Sequence, residues 1–371
     1  MNPATSNRFS FVIPLLIALM GGCGAEPDHK PGSPLPCAGV ALPELDFTTS
    51  AGLYVTPSTY ALPWDGSSRT VEMHIWYPTA VTSGEGARYL DAFPDDQSLI
   101  DAPYDPPDDT CLHPLVVWSH GSQAWAGNAS SVLRQFINAG WVAAGPDHTG
   151  NTLTDNLDPR PPIFDLVRTA DVTHTIDFIE ALPESHLLFG RVDTSRVLVM
   201  GHSYGGQTSW LMSGPTFSAE GIQESCDKSD IGCSVEESAA YGAPVVDDRV
   251  VATVPLAGSA GSNLVAQDGW STRRTPVFYM TGSADNDGSG AYESAGGTEI
   301  SWLEIEGGCH ETFTDTALPC EGVTKEEGLE ITAAYATAYG TATVLGSTDP
   351  EVESVLDGTS RISQLVTLQS R

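Results

Sequence analysis

The chain has 371 residues and a net charge of −32, with 48 acidic residues against 16 basic ones. Hydrophobic residues make up 40% of it, enough for a sizeable core, which excludes a globally disordered chain. A surface this acidic repels phosphate backbones and anionic ligands, which argues against nucleic acid as a partner.

Residues 1–22 read as an export signal: Arg8 is a short basic region, and Phe11 to Met20 an apolar run too short to span a bilayer as a helix. Met20-Gly-Gly-Cys23 follows, small residues ending in a cysteine. The pattern resembles a bacterial lipobox, which implies that Cys23 is the lipidated first residue of a mature protein anchored in the cell envelope. Plain secretion or a soluble periplasmic form is the rival reading. Residues 23–45, with Pro27, Pro31, Pro34, Pro36 and Pro43, are expected to form an extended tether to a domain over 46–371. Six further cysteines in an oxidising compartment point to three disulfides. Proximity along the chain favours Cys226–Cys233 and Cys309–Cys320, leaving Cys37–Cys111.

In chain order, Thr70 to Tyr77 alternates as a strand does, and Asp91 to Asp109, rich in Pro and Asp, reads as a surface loop. Leu115 to Ser119 is the next strand and opens into His120-Gly121-Ser122. Residues 129–140 form a helix, Val142 to Gly145 a strand, and Ile163 to Leu182 a long helix stopped by Pro183. Val197 to Met200 is a strand apolar enough to be buried on both faces. Residues 214–249 break the pattern with Gly, Pro and acidic residues, and read as an insertion that could serve as a lid. Strands follow at Val250 to Leu256, Pro276 to Thr281 and Thr298 to Ile305, then a helix over 325–339 and a less regular tail. Strands alternating with helices predict an α/β fold: a mostly parallel sheet covered on both faces.

The chemistry centres on Gly201-His-Ser203-Tyr-Gly205, directly after an apolar strand. This matches G-x-S-x-G, a strained strand-to-helix turn with a serine at its apex. A serine hydroxyl needs a general base, itself oriented by a carboxylate. Asp285 and His310 lie just past two later strands in the order such turns require, so the expected triad is Ser203, His310 and Asp285. Asp287 competes with Asp285, and Asp285-Asn-Asp287-Gly lacks the remaining ligands of a calcium loop. The oxyanion of an acyl-transfer intermediate needs two backbone donors, expected at Tyr204 and Ser122. His120, Gly121, Trp125, His148 and His202 are placed around the substrate pocket. A metal cluster of His120, His148 and His202 is the weaker alternative; His29, His74, His113, His174 and His186 read as ordinary surface or internally bonded residues.

Val-Val-Trp-Ser-His-Gly-Ser over 116–122, Gly-Pro-Asp-His-Thr-Gly-Asn-Thr over 145–152, Arg168-Thr-Ala-Asp171-Val and Gly201-His-Ser-Tyr-Gly-Gly206 together resemble the predicted dienelactone hydrolase group of the α/β-hydrolases. That group is similar to bacterial platelet-activating-factor acetylhydrolase homologues and, more distantly, to cutinases. The resemblance implies an α/β-hydrolase fold and a serine carboxylic ester hydrolase that needs no cofactor or metal. Two departures stand out: the nucleophile position is serine rather than cysteine, and Leu256-Ala-Gly-Ser259 carries no carboxylate where the acetylhydrolases have theirs. The expected substrate is a small-molecule, lipid or polymer ester. The competing functions are a lipase or polyester hydrolase with Trp118, Trp125 and Trp302 lining a cleft, and a non-catalytic surface binding protein on a hydrolase scaffold.

Overall fold

A computed structural model describes residues 36–371, except 106–109, 260–262, 286–287 and 317–319. Cys23, the signal segment, the first part of the proposed tether and Asp287 lie outside the described residues. In chain order the elements are β1 (Ala51–Ala61), β2 (Ser68–Pro78), β3 (Gly86–Tyr89), β4 (Phe93–Ile100), β5 (His113–Ser119), α1 (Ser130–Asn138) and β6 (Val142–Asp147). Then come α2 (Phe164–Glu180), β7 (Val192–His202), α3 (Tyr204–Met212), α4 (Ala219–Lys228), α5 (Val235–Ala240), β8 (Val250–Leu256) and β9 (Val277–Gly282). The chain closes with α6 (Ser289–Ser294), β10 (Ile300–Ile305), α7 (Lys325–Thr343), α8 (Pro350–Leu356) and β11 (Val366–Ser370).

The strands form one sheet in the order β11-β10-β9-β8-β7-β5-β6-β2-β1-β4-β3. From β10 to β6 the pairing is parallel throughout, as the strand–helix alternation predicts. β11 and β2 flank this block antiparallel. Side chains on a strand point alternately to opposite faces. Val116, Trp118, Leu198 and Met200 therefore pack with Leu133 and Phe136 of α1 and Ala333 and Tyr335 of α7. Leu115, Val117, Val197 and Val199 pack with Val172, Ile176 and Ile179 of α2 on the other face. Each such side chain, taken fully out of water, stabilises the fold by about 1.5–3 kcal/mol.

Three expectations change. Phe93–Ile100, read as loop, is the strand β4. Its Pro94 falls at the strand's start, where a missing N–H is tolerated, and Asp95 is neutralised by Arg134 at 2.8 Å. The tail is more regular than expected, supplying α8 and the edge strand β11. The described end of the Pro-rich stretch is docked rather than free. The Cys37 N–H bonds the Leu112 carbonyl at 2.7 Å, Ala38 is buried, and Asn138 donates to the Glu44 carbonyl at 2.9 Å.

The disulfides pair as expected: Cys37–Cys111, Cys226–Cys233 and Cys309–Cys320. Such bonds belong to an oxidising compartment and so suit an exported protein. No helix among the described residues is long and apolar enough to cross a membrane. Cys37–Cys111 closes a separation of 74 residues and so removes the most freedom from the unfolded chain. Replacing both cysteines by serine is expected to lower the unfolding free energy by about 4 kcal/mol. Urea midpoints of the two proteins measure this, and equal midpoints would contradict it.

Candidate active site

β7 runs straight into Ser203, whose φ of 56° and ψ of −115° place it outside the ordinary regions for a side-chain-bearing residue. Such a backbone costs about 1–3 kcal/mol and persists only where its surroundings impose it. Here they do. A Cβ on Gly205 would collide with the Ser119 carbonyl, one on Gly201 with the Gly205 carbonyl, and one on Gly258 with the Ser203 carbonyl. The Ser203 N–H is held by the Leu256 carbonyl at 2.8 Å. The hydroxyl is thereby presented, partly exposed, at the N-terminus of α3.

Ser203, His310 and Asp285 come together. The His310 Nε2 lies 2.8 Å from Ser203 Oγ, and its Nδ1 lies 2.8 Å from Asp285 Oδ2. A carboxylate only accepts, so Nδ1 carries the hydrogen and Nε2 is left to accept from the serine hydroxyl. The loops bearing the acid and the imidazole are laced to each other. The Ser283 N–H bonds the Ile305 carbonyl at 3.0 Å, and the Ala284 N–H bonds the Gly308 carbonyl at 2.8 Å. The Gly307 N–H donates to Ser283 Oγ at 2.9 Å. From below, the Nε2–H of His202 donates to the His310 carbonyl at 2.7 Å. Burial, and then the neighbouring His310, push His202 down to about 3, so it stays neutral while it holds that carbonyl.

Tyr204 is the first residue of α3, where the helix leaves its N–H groups unpaired and its dipole favours negative charge. In the facing loop the Gln123 and Ala124 N–H groups are taken by the carbonyls of Asn151 and Gly121, and among the described residues none accepts from Ser122 N–H. Two arginines tie these positions together. Arg160 donates to Ser122 Oγ at 2.8 Å while its guanidinium lies 4.9 Å from the centre of the Tyr204 ring. Arg168, fully buried, lies 4.6 Å from the same ring. It donates to Asn151 Oδ1 at 2.6 Å, to Ser119 Oγ at 3.2 Å and to the His120 carbonyl. Burial lowers it to about 9, so it remains charged at neutral pH.

Beneath this lies a second serine–histidine–aspartate chain. Ser119 Oγ is 2.9 Å from His148 Nε2, and His148 Nδ1 is 2.8 Å from Asp171 Oδ2. Asp171 also accepts from Arg69 at 2.6 Å and Tyr60 at 2.7 Å. Burial alone would raise this carboxyl, but Arg69 and His148 hold it well below the usual carboxylate range. All three members of this chain are fully buried, so no substrate reaches them.

The pocket expectations are corrected accordingly. His120, His148 and His202 are buried and do not line a cleft. Nor do they converge on a metal. His120 accepts from the His148 N–H at 2.9 Å and donates to the Gly121 carbonyl, and His148 uses both ring nitrogens on Ser119 and Asp171. Gly121 packs beside Ser203, its would-be Cβ 3.4 Å from that of the serine. Trp118 and Trp302 belong to the core, whereas Trp125 is partly exposed and stacks on Phe93 at 3.8 Å. Sequence reading assigned no role to Arg160, Arg168 or Asp171. The available signal was a cation and an anion one turn apart inside an otherwise apolar stretch of α2.

No protein-family model and no curated protein matches the chain. Among solved structures it is similar to a ferulic acid esterase from Streptomyces cinnamoneus, at 21% identity and a TM-score of 0.58. The match covers 89% of this chain and 98% of that one. With the mostly parallel sheet and its two helical layers, this defines an α/β-hydrolase fold.

His148 and His202 both sit near 3 when folded, against 6.5 when exposed. The unfolded chain therefore binds these protons first, and stability present above pH 6.5 is lost as the pH falls toward 3. The expected slope is about 1.4 kcal/mol per pH unit for each histidine. His202→Gln should remove one such contribution from urea unfolding followed across this range, and an unaltered slope would refute the assignment.

Proposed function

We propose that this protein is a serine carboxylic ester hydrolase. The observation that carries the proposal is the pair of 2.8 Å contacts joining a partly exposed Ser203 to His310 and His310 to Asp285. Ser203 Oγ attacks the ester carbonyl while His310 Nε2 takes its proton, and Asp285 stabilises the imidazolium so formed. The N–H groups of Ser122 and Tyr204 receive the oxyanion, each contributing about 10²–10³ in rate. Collapse of the intermediate expels the alcohol, protonated by His310, and leaves an acyl-enzyme. Water, activated by the same imidazole, then releases the acid and restores Ser203.

Within this reading the kinship is with the dienelactone hydrolase-like and acetylhydrolase-like esterases, on the motifs around Ser122, His148 and Ser203. The likeness to a ferulic acid esterase adds esters of that aromatic acid as a substrate to try, with the Trp125–Phe93 stack beside the oxyanion loop as the surface to receive the ring. Residues 214–249 pack through Ile222 and Tyr241 onto Ile163 and Phe164, beside Tyr204, and form a wall on that side of the site. The mature protein is held on a membrane by a lipid at Cys23.

Ser203→Ala is expected to reduce hydrolysis of short p-nitrophenyl esters by about 10⁴-fold or more, with an unchanged circular dichroism spectrum. A fluorophosphonate probe should label the native enzyme and not the variant. Undiminished turnover by the alanine variant would remove the serine mechanism. For the anchor, radioactive fatty acid should enter the native chain and not Cys23→Ser, and an unlabelled native chain would refute lipidation.

A further inference from the structure

β2 and β6 hold an arrangement that sheets ordinarily avoid. Glu72 and Asp147 are direct partners across the antiparallel ladder, and like charges placed opposite each other repel. His74 follows two residues after Glu72 and so shares its face of the sheet. Its Nε2 stands 3.5 Å from Glu72 Oε1 and 3.3 Å from Asp147 Oδ2. The three donor atoms lie within 4.8 Å of one another.

These spacings are informative by comparison. Two other imidazole–carboxylate bonds in this molecule, His310–Asp285 and His148–Asp171, span 2.8 Å, whereas the His74–Asp147 bond is 3.3 Å long. The His74 distances exceed that of a charge-assisted bond of about 2.7–2.9 Å. These two edges match what a shared cation imposes, since ligands bound at about 2.0–2.2 Å in a tetrahedron stand about 3.3–3.6 Å apart, and the third, within 4.8 Å, closes by a turn of the exposed Glu72 side chain.

The surroundings agree. The His74 ring is buried against Trp76 and Tyr89, and its Nδ1 has no hydrogen-bond partner among the described residues, so its polar contacts are all on the Nε2 side. Asp147 Oδ1 is fixed by the Ala126 N–H at 2.6 Å, which aims Oδ2 at the imidazole. Glu72 is exposed, leaving a side open to solvent. One imidazole and two carboxylates form a donor set suited to zinc, with three protein ligands and an open fourth position. We propose that Glu72, His74 and Asp147 bind a zinc ion, completed by water, on the face of β2 and β6. Through Asp147 and the Ala126 N–H, the ion braces the segment that follows the Ser122 loop.

The test uses the full chain, stripped with chelator and dialysed against zinc. One ion per chain is expected, together with a rise in melting temperature. Cobalt(II) in its place should give the intense visible absorption of a four-coordinate site. Glu72→Gln, an exposed change that should leave folding intact, is expected to weaken zinc binding by at least about 10-fold. It should also abolish the rise in melting temperature, and Asp147→Asn should do the same. Absence of binding, equal binding by Glu72→Gln, or the weak absorption of six-coordinate cobalt would each overturn the site.

Discussion

Everything at the candidate site depends on two stretches of backbone meeting without a side chain between them. The strand end at Ser119 and the turn at Ser203 approach so closely that Gly205 has no room for a Cβ. This contact sets the unusual backbone angles of Ser203 and brings the Ser122 loop alongside the N-terminus of α3. It also explains why a fully buried arginine is tolerated there. Two carbonyl-bearing segments and two hydroxyls crowd into one space, and a planar group with five donors can hold them all. An isolated buried charge is expensive, but Arg168 is nearly fully bonded and lies close to the ionised Asp171.

The molecule contains two serine–histidine–aspartate chains with nearly equal bond lengths, and their difference lies in access. Ser203 reaches solvent, and His310 keeps over a third of its side chain exposed. Ser119, His148 and Asp171 are sealed under the Ser122 loop, where a neutral imidazole serves as a rigid spacer. Bond lengths alone do not distinguish the two chains, and burial separates the one open to solvent from the one that is sealed.

Much of the candidate site's geometry was legible in the sequence, because a serine between glycines after an apolar strand, followed by Asp285 and His310 past later strands, leaves few other arrangements. The central strands were legible for the same reason: buried on both faces, they read as unbroken apolar runs. The edges were not. β1 contains Pro57 and is covered by β4 only over Ala51 to Leu53, so its pattern is that of a half-open strand. β4 hides behind Pro94, Asp95 and Asp96, whose charges make sense only once Arg134 is seen against Asp95. Arg168, Asp171 and the ring of His202 act through partners 17 to 111 positions away, a relation no local pattern carries.

The cystine between Cys309 and Cys320 sits immediately before His310 in the chain. Until that bond forms, the turn carrying His310 has one covalent restraint fewer and relies on its hydrogen bonds to Ser283, Ala284, Asp285 and His202 for its position. Oxidative maturation and the readiness of the imidazole are therefore joined in one segment. A chain still among cytosolic thiols holds that imidazole with one restraint fewer than the oxidised chain, which also makes a reducing host cytoplasm a poor place to produce it.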